Sequence, residues 1–295
     1  MTVEQSFAMR VFETLGFESM AWSLRRLYCP VPSKALVLEV GSGGNPFPRA
    51  NVLLDAYEES RERHWAPLVA DRPTVLGYGE RLPFRDKAFD FVIACHVLEH
   101  SPNPSAFLSE LQRVARAGYI ESPDAFMERI NPYRDHRLEV TVREGSLLIR
   151  KKASWIVDGD TVELYEHRAK SILTRDTIPR NPFSFHVRYF WSDRIQYRIL
   201  NPQVDSSWDA AEDAVISRGQ HRRFHHSVMQ KALRGAFSQN VRNRNLEILP
   251  LLCCPDCQGG ELRSVEHSIR CARCNSSFSV RDGIHMMYPS KARHE

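Results

Sequence analysis

The chain lacks any apolar run near the roughly 18–20 residues that a membrane span needs. Its opening residues, Met1-Thr-Val-Glu-Gln, also lack the basic-then-apolar order of a secretory leader, so a cytoplasmic protein is the expectation. Cysteine is sparse, and its placement is wrong for a disulfide framework. Of seven cysteines, four form two close pairs near the C-terminus, and Cys29, Cys95 and Cys253 remain as an odd number. In a reducing compartment that pattern reads as metal binding. A net charge of +4 is too small to demand a nucleic-acid partner. Acidic residues are nevertheless missing between Asp213 and Glu247, where Arg218, Arg222, Arg223, Lys231, Arg234, Arg242 and Arg244 fall. This basic block over 218–244, with Phe224 and Phe237 interleaved, fits either a phosphate backbone such as RNA or a solvated helix face.

What the 295-residue chain does have is the length for about two domains and an ordinary 42% of apolar residues. The apolar run Leu36-Val-Leu-Glu-Val40 leads into Gly41-Ser-Gly-Gly-Asn-Pro46, and a second apolar run ends in Asp55. Glycines let backbone approach a ligand with no Cβ in the way, and a carboxylate ending the second strand can take both ribose hydroxyls. The same Gly-x-Gly-Gly also suits a plain tight turn.

Strands fit at 35–40, 51–55, 74–78, 90–95 and 117–121, and helices at 57–69 and 104–116. That alternation predicts an α/β class, a doubly wound Rossmann-like and mostly parallel sheet. Residues 4–27 place Phe7, Val11, Leu15, Met20, Leu24 and Leu27 at roughly helical spacing, which predicts amphipathic helices packed beside the sheet. Only ten residues, two of them proline, separate Val40 from Asn51, so the first crossover helix should be missing or a single turn. Farther on, the chain reads as β-rich, with strands at 138–142, 146–149, 161–165, 186–191 and 195–200.

From Glu80 the chain reads Glu-Arg-Leu-Pro-Phe, then Phe89-Asp90-Phe91, then Leu98-Glu99-His100, followed by Glu110, Arg113 and the strand Gly118–Pro123. In order and spacing, residues 33–123 resemble the class I S-adenosylmethionine-dependent methyltransferases, particularly the group with an LPF, FD and LEH series. The resemblance implies Glu39, Gly41, Ser42, Gly43 and Asn45 around the methionine part of the cofactor and Asp55 on its ribose. It further implies Glu80, Cys95 and His96 near adenine and sulfonium. Where the family often has an acid two residues before Glu80, this chain has Tyr78. Either Glu80 or the Tyr78 hydroxyl substitutes, or adenine is held differently. In that fold the 186–200 pair would be the antiparallel hairpin closing the sheet, and residues 124–182 an insertion that selects the substrate.

Methyl transfer from a sulfonium is an in-line displacement that needs alignment, and a base only when the acceptor carries a proton. His96, His100 and His136 are candidate bases because imidazole titrates near neutrality, although a histidine satisfied within the fold is the commoner case. Glu121, ending the fifth strand, either faces the acceptor or is solvated. Asn131-Pro132-Tyr133 is a turn.

Cys254-Pro-Asp-Cys257 and Cys271-Ala-Arg-Cys274 are two Cys-x2-Cys knuckles, suited to a closed tetrahedral Zn2+ site of structural type. The segment from Ile248 through Tyr288-Pro289 resembles the small zinc-ribbon activator that partners tRNA, rRNA and release-factor methyltransferases, which implies a ribbon that packs on the catalytic domain. The expected organisation is a helical segment at 1–33, a methyltransferase domain at 34–205, a basic helical linker at 206–246 and a zinc ribbon at 247–295. The leading expectation is direct methyl transfer to a small-molecule, glycan or lipid-linked acceptor. An RNA methyltransferase is the alternative, and a non-catalytic cofactor-binding regulatory partner is the third reading.

Overall fold

The computed structural model describes residues 4–60, 66–208 and 224–290, with backbone alone at 224–230. Its strands are β1 (Val37–Val40), β2 (Val52–Asp55), β3 (Thr74–Leu76), β4 (Phe89–Cys95), β5 (Ala115–Pro123), β6 (Leu138–Arg143), β7 (Ser146–Lys151), β8 (His186–Ser192), β9 (Tyr197–Ile199), β10 (Leu262–Val265), β11 (Ser268–Cys271), β12 (Ser277–Arg281) and β13 (Ile284–Met286). The residues cluster into two compact units. The first comprises Met1–Pro30, Ala94–Pro104 and Tyr119–Val215, the second Val31–Ile93, Ser105–Gly118 and Ile216–Glu295. Strands β4 and β5 contribute residues to both units.

In the second unit the strand order is β10-β11-β12-β13-β3-β2-β1-β4-β5. β1 pairs with β2, β2 with β3, and β3 with β13, all parallel, so the protein has the mainly parallel, Rossmann-like α/β fold that the strand–helix alternation predicts. β1, β2 and β3 are buried at every position, which is why they read as continuous apolar runs. Helix α3 (Pro104–Val114) buries Phe107, Leu108, Leu111 and Val114, all at 0–1% exposure. Its polar side fixes the Leu-Pro-Phe turn. Glu110 accepts from the Leu82 amide at 2.7 Å, while Arg113 donates to the carbonyls of Leu82 and Phe84.

The first crossover has no helix, as the ten-residue spacing predicts. Buried Arg72 stands in for one by donating to the carbonyls of Phe47, Pro48 and Ala50. Fully buried Asn51 accepts from the Val37 amide and donates to Gln239 and Asn243, tying the short helix Asn240–Arg244 to the same edge. Residues 57–60 and 66–69 are not helical; the rest of the helix expected at 57–69 lies outside the described residues.

The C-terminal strands join the parallel sheet itself. β10, β11, β12 and β13 form an antiparallel series, and β13 then adds in parallel to β3 through Ile284–Thr74, His285–Val75 and Met286–Leu76. The Met287 amide continues the ladder to the Leu76 carbonyl at 2.7 Å. An edge strand offers unpaired backbone groups, and here the same chain covers them.

The first unit holds helices α1 (Phe7–Thr14) and α2 (Glu18–Leu24), the ends of β4 and β5, then β8, and a separate sheet ordered β6-β7-β9. Two expectations fail there. Thr161–Tyr165 is not a strand but part of a helical run from Gly159 to Arg180, started by Asp158, whose side chain accepts from the Thr161 amide. The 186–200 pair is not a hairpin. β8 joins β5, whereas β9 crosses to pair in parallel with β7, directed by the Leu147 amide on the Gln196 carbonyl. The N-terminal apolar stripe is also largely outward: Met9 is buried, but Phe7 is 76% exposed and Leu15 62%.

Candidate functional site

In the second unit β1 ends in a turn where Gly41 and Gly43 take φ of 72° and 57°, a left-handed backbone that glycine adopts without strain. The amides of Gly41 and Ser42 both donate to the Leu54 carbonyl, which holds the loop against β2. Asp55 is 6% exposed and braces the same loop, one carboxylate oxygen accepting from the Gly43 amide at 2.8 Å and the other from the Tyr57 amide at 3.1 Å. Glu39 accepts from the Phe47 amide at 2.7 Å. The Ser42 hydroxyl is buried with no hydrogen-bond partner among the described residues, which marks this loop as a place where a ligand's polar atom would fit. Asn45 receives Arg234 at 3.4 Å.

Tyr78 and Glu80 sit in the turn after β3. The Tyr78 ring lies 5.3 Å from the ring of Tyr288, whose hydroxyl donates to the Ala56 carbonyl at 2.7 Å. Burial, with Tyr78, Glu58 and Asp55 nearby, pushes the Tyr288 phenol well above its ordinary range. Tyr288 follows β13, so the pairing with β3 brings it beside the Asp55 loop. The sequence implies a ribbon packed on the catalytic domain but carries no local mark of the strand it joins, so Tyr288 escapes a sequence reading. Gly79 is required by packing, since a Cβ there would lie 2.5 Å from a ring carbon of Phe107.

The four knuckle sulfurs, also in the second unit, lie within 4.8 Å of one another, with Cys254–Cys274 at 3.5 Å and Cys257–Cys271 at 3.7 Å. Four bonds of about 2.3 Å in a tetrahedron separate sulfurs by roughly 3.8 Å, so the donor set and its spacing fit zinc. Beside the knuckles, Arg81 donates to the Pro255 carbonyl and to that of Asp256 at 2.7 Å, and Cys253 donates to the Phe84 carbonyl at 3.1 Å.

In the first unit a second cluster forms around Glu121, which is fully buried rather than solvated. Arg25 grips it with Nε on one oxygen and Nη2 on the other, both at 2.8 Å, while Tyr119 donates its hydroxyl and Cys95 its thiol at 3.2 Å. Tyr119 and Glu121 are two apart on β5 and therefore share a face. Arg25 in turn stacks 3.5 Å above the Trp22 ring. Burial alone would raise the Glu121 carboxyl, but Arg25 and then His96 outweigh it and hold the group well below the usual carboxylate range. Trp22 and Arg25 escape a sequence reading because their i, i+3 spacing on an amphipathic segment looks like ordinary packing.

His96 follows β4 directly, at φ 55°, a sparsely populated backbone for a residue with a Cβ. Its amide donates to the Glu121 carbonyl at 2.8 Å. Its ring lies between two carboxylates, Nε2 at 3.3 Å from Glu121 and Nδ1 at 3.3 Å from Glu99, and its side chain is 41% exposed. Burial lowers its basicity, yet Glu121 and Glu99 together raise its pKa to about 9. His100 and His136 meet edge to face at 4.7 Å. His136 is bonded at 2.7 Å to buried Glu128, which also accepts from the Lys152 ammonium at 2.6 Å. The structure thus brings His96, His100, Glu121 and His136 into one unit. An open polar cleft of about 380 Å³ in that unit is lined by Asp124, Thr141, Ser184, His186 and Arg188 among others, and the His186 ring stands 5.7 Å from His96.

No helix among the described residues is long and apolar enough to cross a membrane. Residues 38–120 match the Methyltransf_11 family, described as a methyltransferase domain. A curated relative, the uncharacterized protein MJ1123 of Methanocaldococcus jannaschii, is 31% identical over 81 residues, 28% of this chain; the match spans 40% of that protein. Among solved structures, the complex between the Haloferax volcanii Trm112 methyltransferase activator and a putative methyltransferase is similar at 16% identity, covering 63% of this chain and 97% of that one with a TM-score of 0.36. The PH0226 protein of Pyrococcus horikoshii is similar at 15% identity, covering 65% and 94% with a TM-score of 0.33. Structural likeness this distant carries no argument about activity. The family match supports a methyltransferase domain that uses S-adenosylmethionine.

Proposed function

We propose that this protein is an S-adenosylmethionine-dependent methyltransferase acting by direct displacement on a polar small-molecule or glycan acceptor, its fold stabilised by a structural zinc ion on Cys254, Cys257, Cys271 and Cys274. The observation that carries the reading is the loop from Gly41 to Asn45, which is pinned by Asp55, holds an orphaned buried hydroxyl at Ser42 and lies inside the methyltransferase match. When bound, the cofactor supplies an electrophilic methyl group on a sulfonium.

In this reading the amides of Gly41 to Asn45 and the side chain of Glu39 hold the amino-acid end, Asp55 holds the ribose, and Tyr78 with Tyr288 bounds the adenine. Glu80 belongs to the same turn as Tyr78 and is the acid there that faces the adenine in this reading. In the first unit Arg25 and Glu121 are positioning residues. Their buried pair holds His96 through both its backbone and its ring, and His96, the most exposed member, meets the acceptor. Cys95 supports Glu121 and does no chemistry of its own. The cleft lined by Asp124, Ser184 and Arg188 supports a polar acceptor over a lipid one.

The RNA alternative draws less support from the described residues. Arg242 donates to the carbonyls of Ser33, Lys34 and Ala35, and Arg234 pairs with Asp71, so both are engaged in the fold. Arg218, Arg222 and Arg223 lie outside the described residues. The test is tritium transfer from labelled S-adenosylmethionine to two acceptor pools, total RNA and polar metabolites, at low and high salt. Salt-insensitive labelling of metabolites is expected. Labelling of RNA that falls steeply with salt would replace this acceptor class, because phosphate contacts are salt-dependent. No labelling of either pool by a protein that binds the cofactor would favour the regulatory-partner reading.

A further inference from the structure

Two groups of potential ligands converge in the first unit, Cys95-His96-Glu121 and Glu99-His100-His136, each with its donor atoms within 4.8 Å of one another. They differ in what already holds them. Glu121 is saturated by a bidentate guanidinium, a phenol and a thiol. Glu99 is 2% exposed, and among the described residues neither of its carboxylate oxygens has a hydrogen-bond partner; the His96 ring lies 3.3 Å from one of them. The His96 ring faces one of these oxygens without hydrogen-bond geometry, and the other is left with no donor, which is costly for a buried carboxylate and leaves room for a further cation.

Both histidines of the group have Nδ1 held by an oxygen acceptor. His100 Nδ1 lies 3.0 Å from the Asp135 carbonyl, and a carbonyl only accepts, so Nδ1 carries a proton and the neutral ring keeps its lone pair on Nε2. His136 Nδ1 lies 2.7 Å from the Glu128 carboxylate, which likewise accepts from Nδ1–H. Glu128 is itself neutralised by buried Lys152, and the ring of Tyr133 stacks on His136 at 4.8 Å. A carboxylate or carbonyl holding Nδ1–H so that Nε2 faces inward is the outer-shell pattern of imidazole metal ligands. The backbone is fixed too: Glu99 and His100 share one short helical turn, and the Glu99 carbonyl accepts from the Arg137 amide at 2.7 Å, one residue past His136.

We propose that Glu99, His100 and His136 form a divalent-cation site, with Glu128 and the Asp135 carbonyl as its outer shell. Two imidazoles and one carboxylate suit Mn2+, Fe2+, Co2+ or Zn2+ and leave coordination positions for water or an oxygen of a substrate. Use of that open position by an acceptor hydroxyl rests on the methyltransferase reading; occupancy by metal does not.

The test is Mn2+ titration of the full-length, zinc-loaded protein followed by electron paramagnetic resonance. Mn2+ prefers oxygen and nitrogen donors and does not compete for four thiolates, so the ribbon is silent. One Mn2+ per chain is expected, with electron spin-echo modulation from directly bound imidazole nitrogen. Removing the ring in His100→Ala or His136→Ala should abolish binding. Glu128→Gln should weaken it roughly 10–100-fold, with zinc content and circular dichroism unchanged. Absence of binding, binding without nitrogen modulation, or undiminished binding in a folded His136→Ala protein would each overturn the site. Metal binding without methyl transfer would leave the site standing and count only against the enzymatic reading.

Discussion

Replacing Arg25 with alanine should destabilise the first unit by about 3–5 kcal/mol, the cost of stranding one partner of a buried ion pair. The structure gives the reason in detail. The Arg25 side chain is 10% exposed and that of Glu121 0%, so solvent does little to screen the charge left behind. Tyr119 and Cys95 remain as uncharged donors to Glu121, and the His96 ring, 3.3 Å away and 41% exposed, offsets the lost guanidinium only in part. Part of the loss is contact with Trp22, under a guanidinium 3.5 Å from its ring. Urea unfolding followed by tryptophan fluorescence is the assay, because Trp22, Trp155, Trp191 and Trp208, four of the five tryptophans, belong to this unit. The double variant Arg25→Met with Glu121→Leu removes both charges and should recover most of the loss. The pH dependence carries a sign. Glu121 titrates below its ordinary 4.5 when folded, so the unfolded chain binds more protons in that window. The pair's contribution is therefore complete above about pH 5 and is lost as pH falls below the ordinary carboxylate value, a loss that Arg25→Ala should flatten. A cost under about 1 kcal/mol for Arg25→Ala, or a double variant no better than the single, would refute the reasoning.

Gly79→Ala should cost about 1–3 kcal/mol in chemical denaturation through its clash with Phe107, and Phe107→Leu should relieve part of it. Asn51→Ala should lower stability by about 1–3 kcal/mol, read by thermal unfolding, since it strands the Val37 amide and frees the helix Asn240–Arg244. Stripping zinc with a chelator should speed hydrogen exchange at Ile284–Met287 and also at Thr74–Leu76, because β13 is the edge partner of β3. Exchange confined to residues 254–274 would show the ribbon to be merely tethered.

The parallel sheet was legible because its strands are buried on both faces and so stand out as Val37–Val40, Val52–Asp55 and Phe89–Cys95. The glycine loop, Asp55 and the cysteine knuckles were legible because each needs particular residue types at short range. Thr161–Tyr165 misled through its β-branched residues; the overlooked signal was Asp158 three residues before Thr161, a helix cap. The partners of β9 and β13 could not be read, because strand pairing across more than forty residues leaves no local mark. Arg25, Trp22, Tyr288 and the Glu128–Lys152 pair stayed hidden for the same reason: each is ordinary alone and acquires a role only through a residue distant in sequence.

The most direct test of the central claim is calorimetric titration of the zinc-loaded protein with S-adenosylmethionine, beside Asp55→Ala and Asp55→Asn variants. The account predicts saturable one-to-one binding by the parent, abolished in Asp55→Ala and weakened in Asp55→Asn. No binding to the parent, or equal binding by all three, would contradict it.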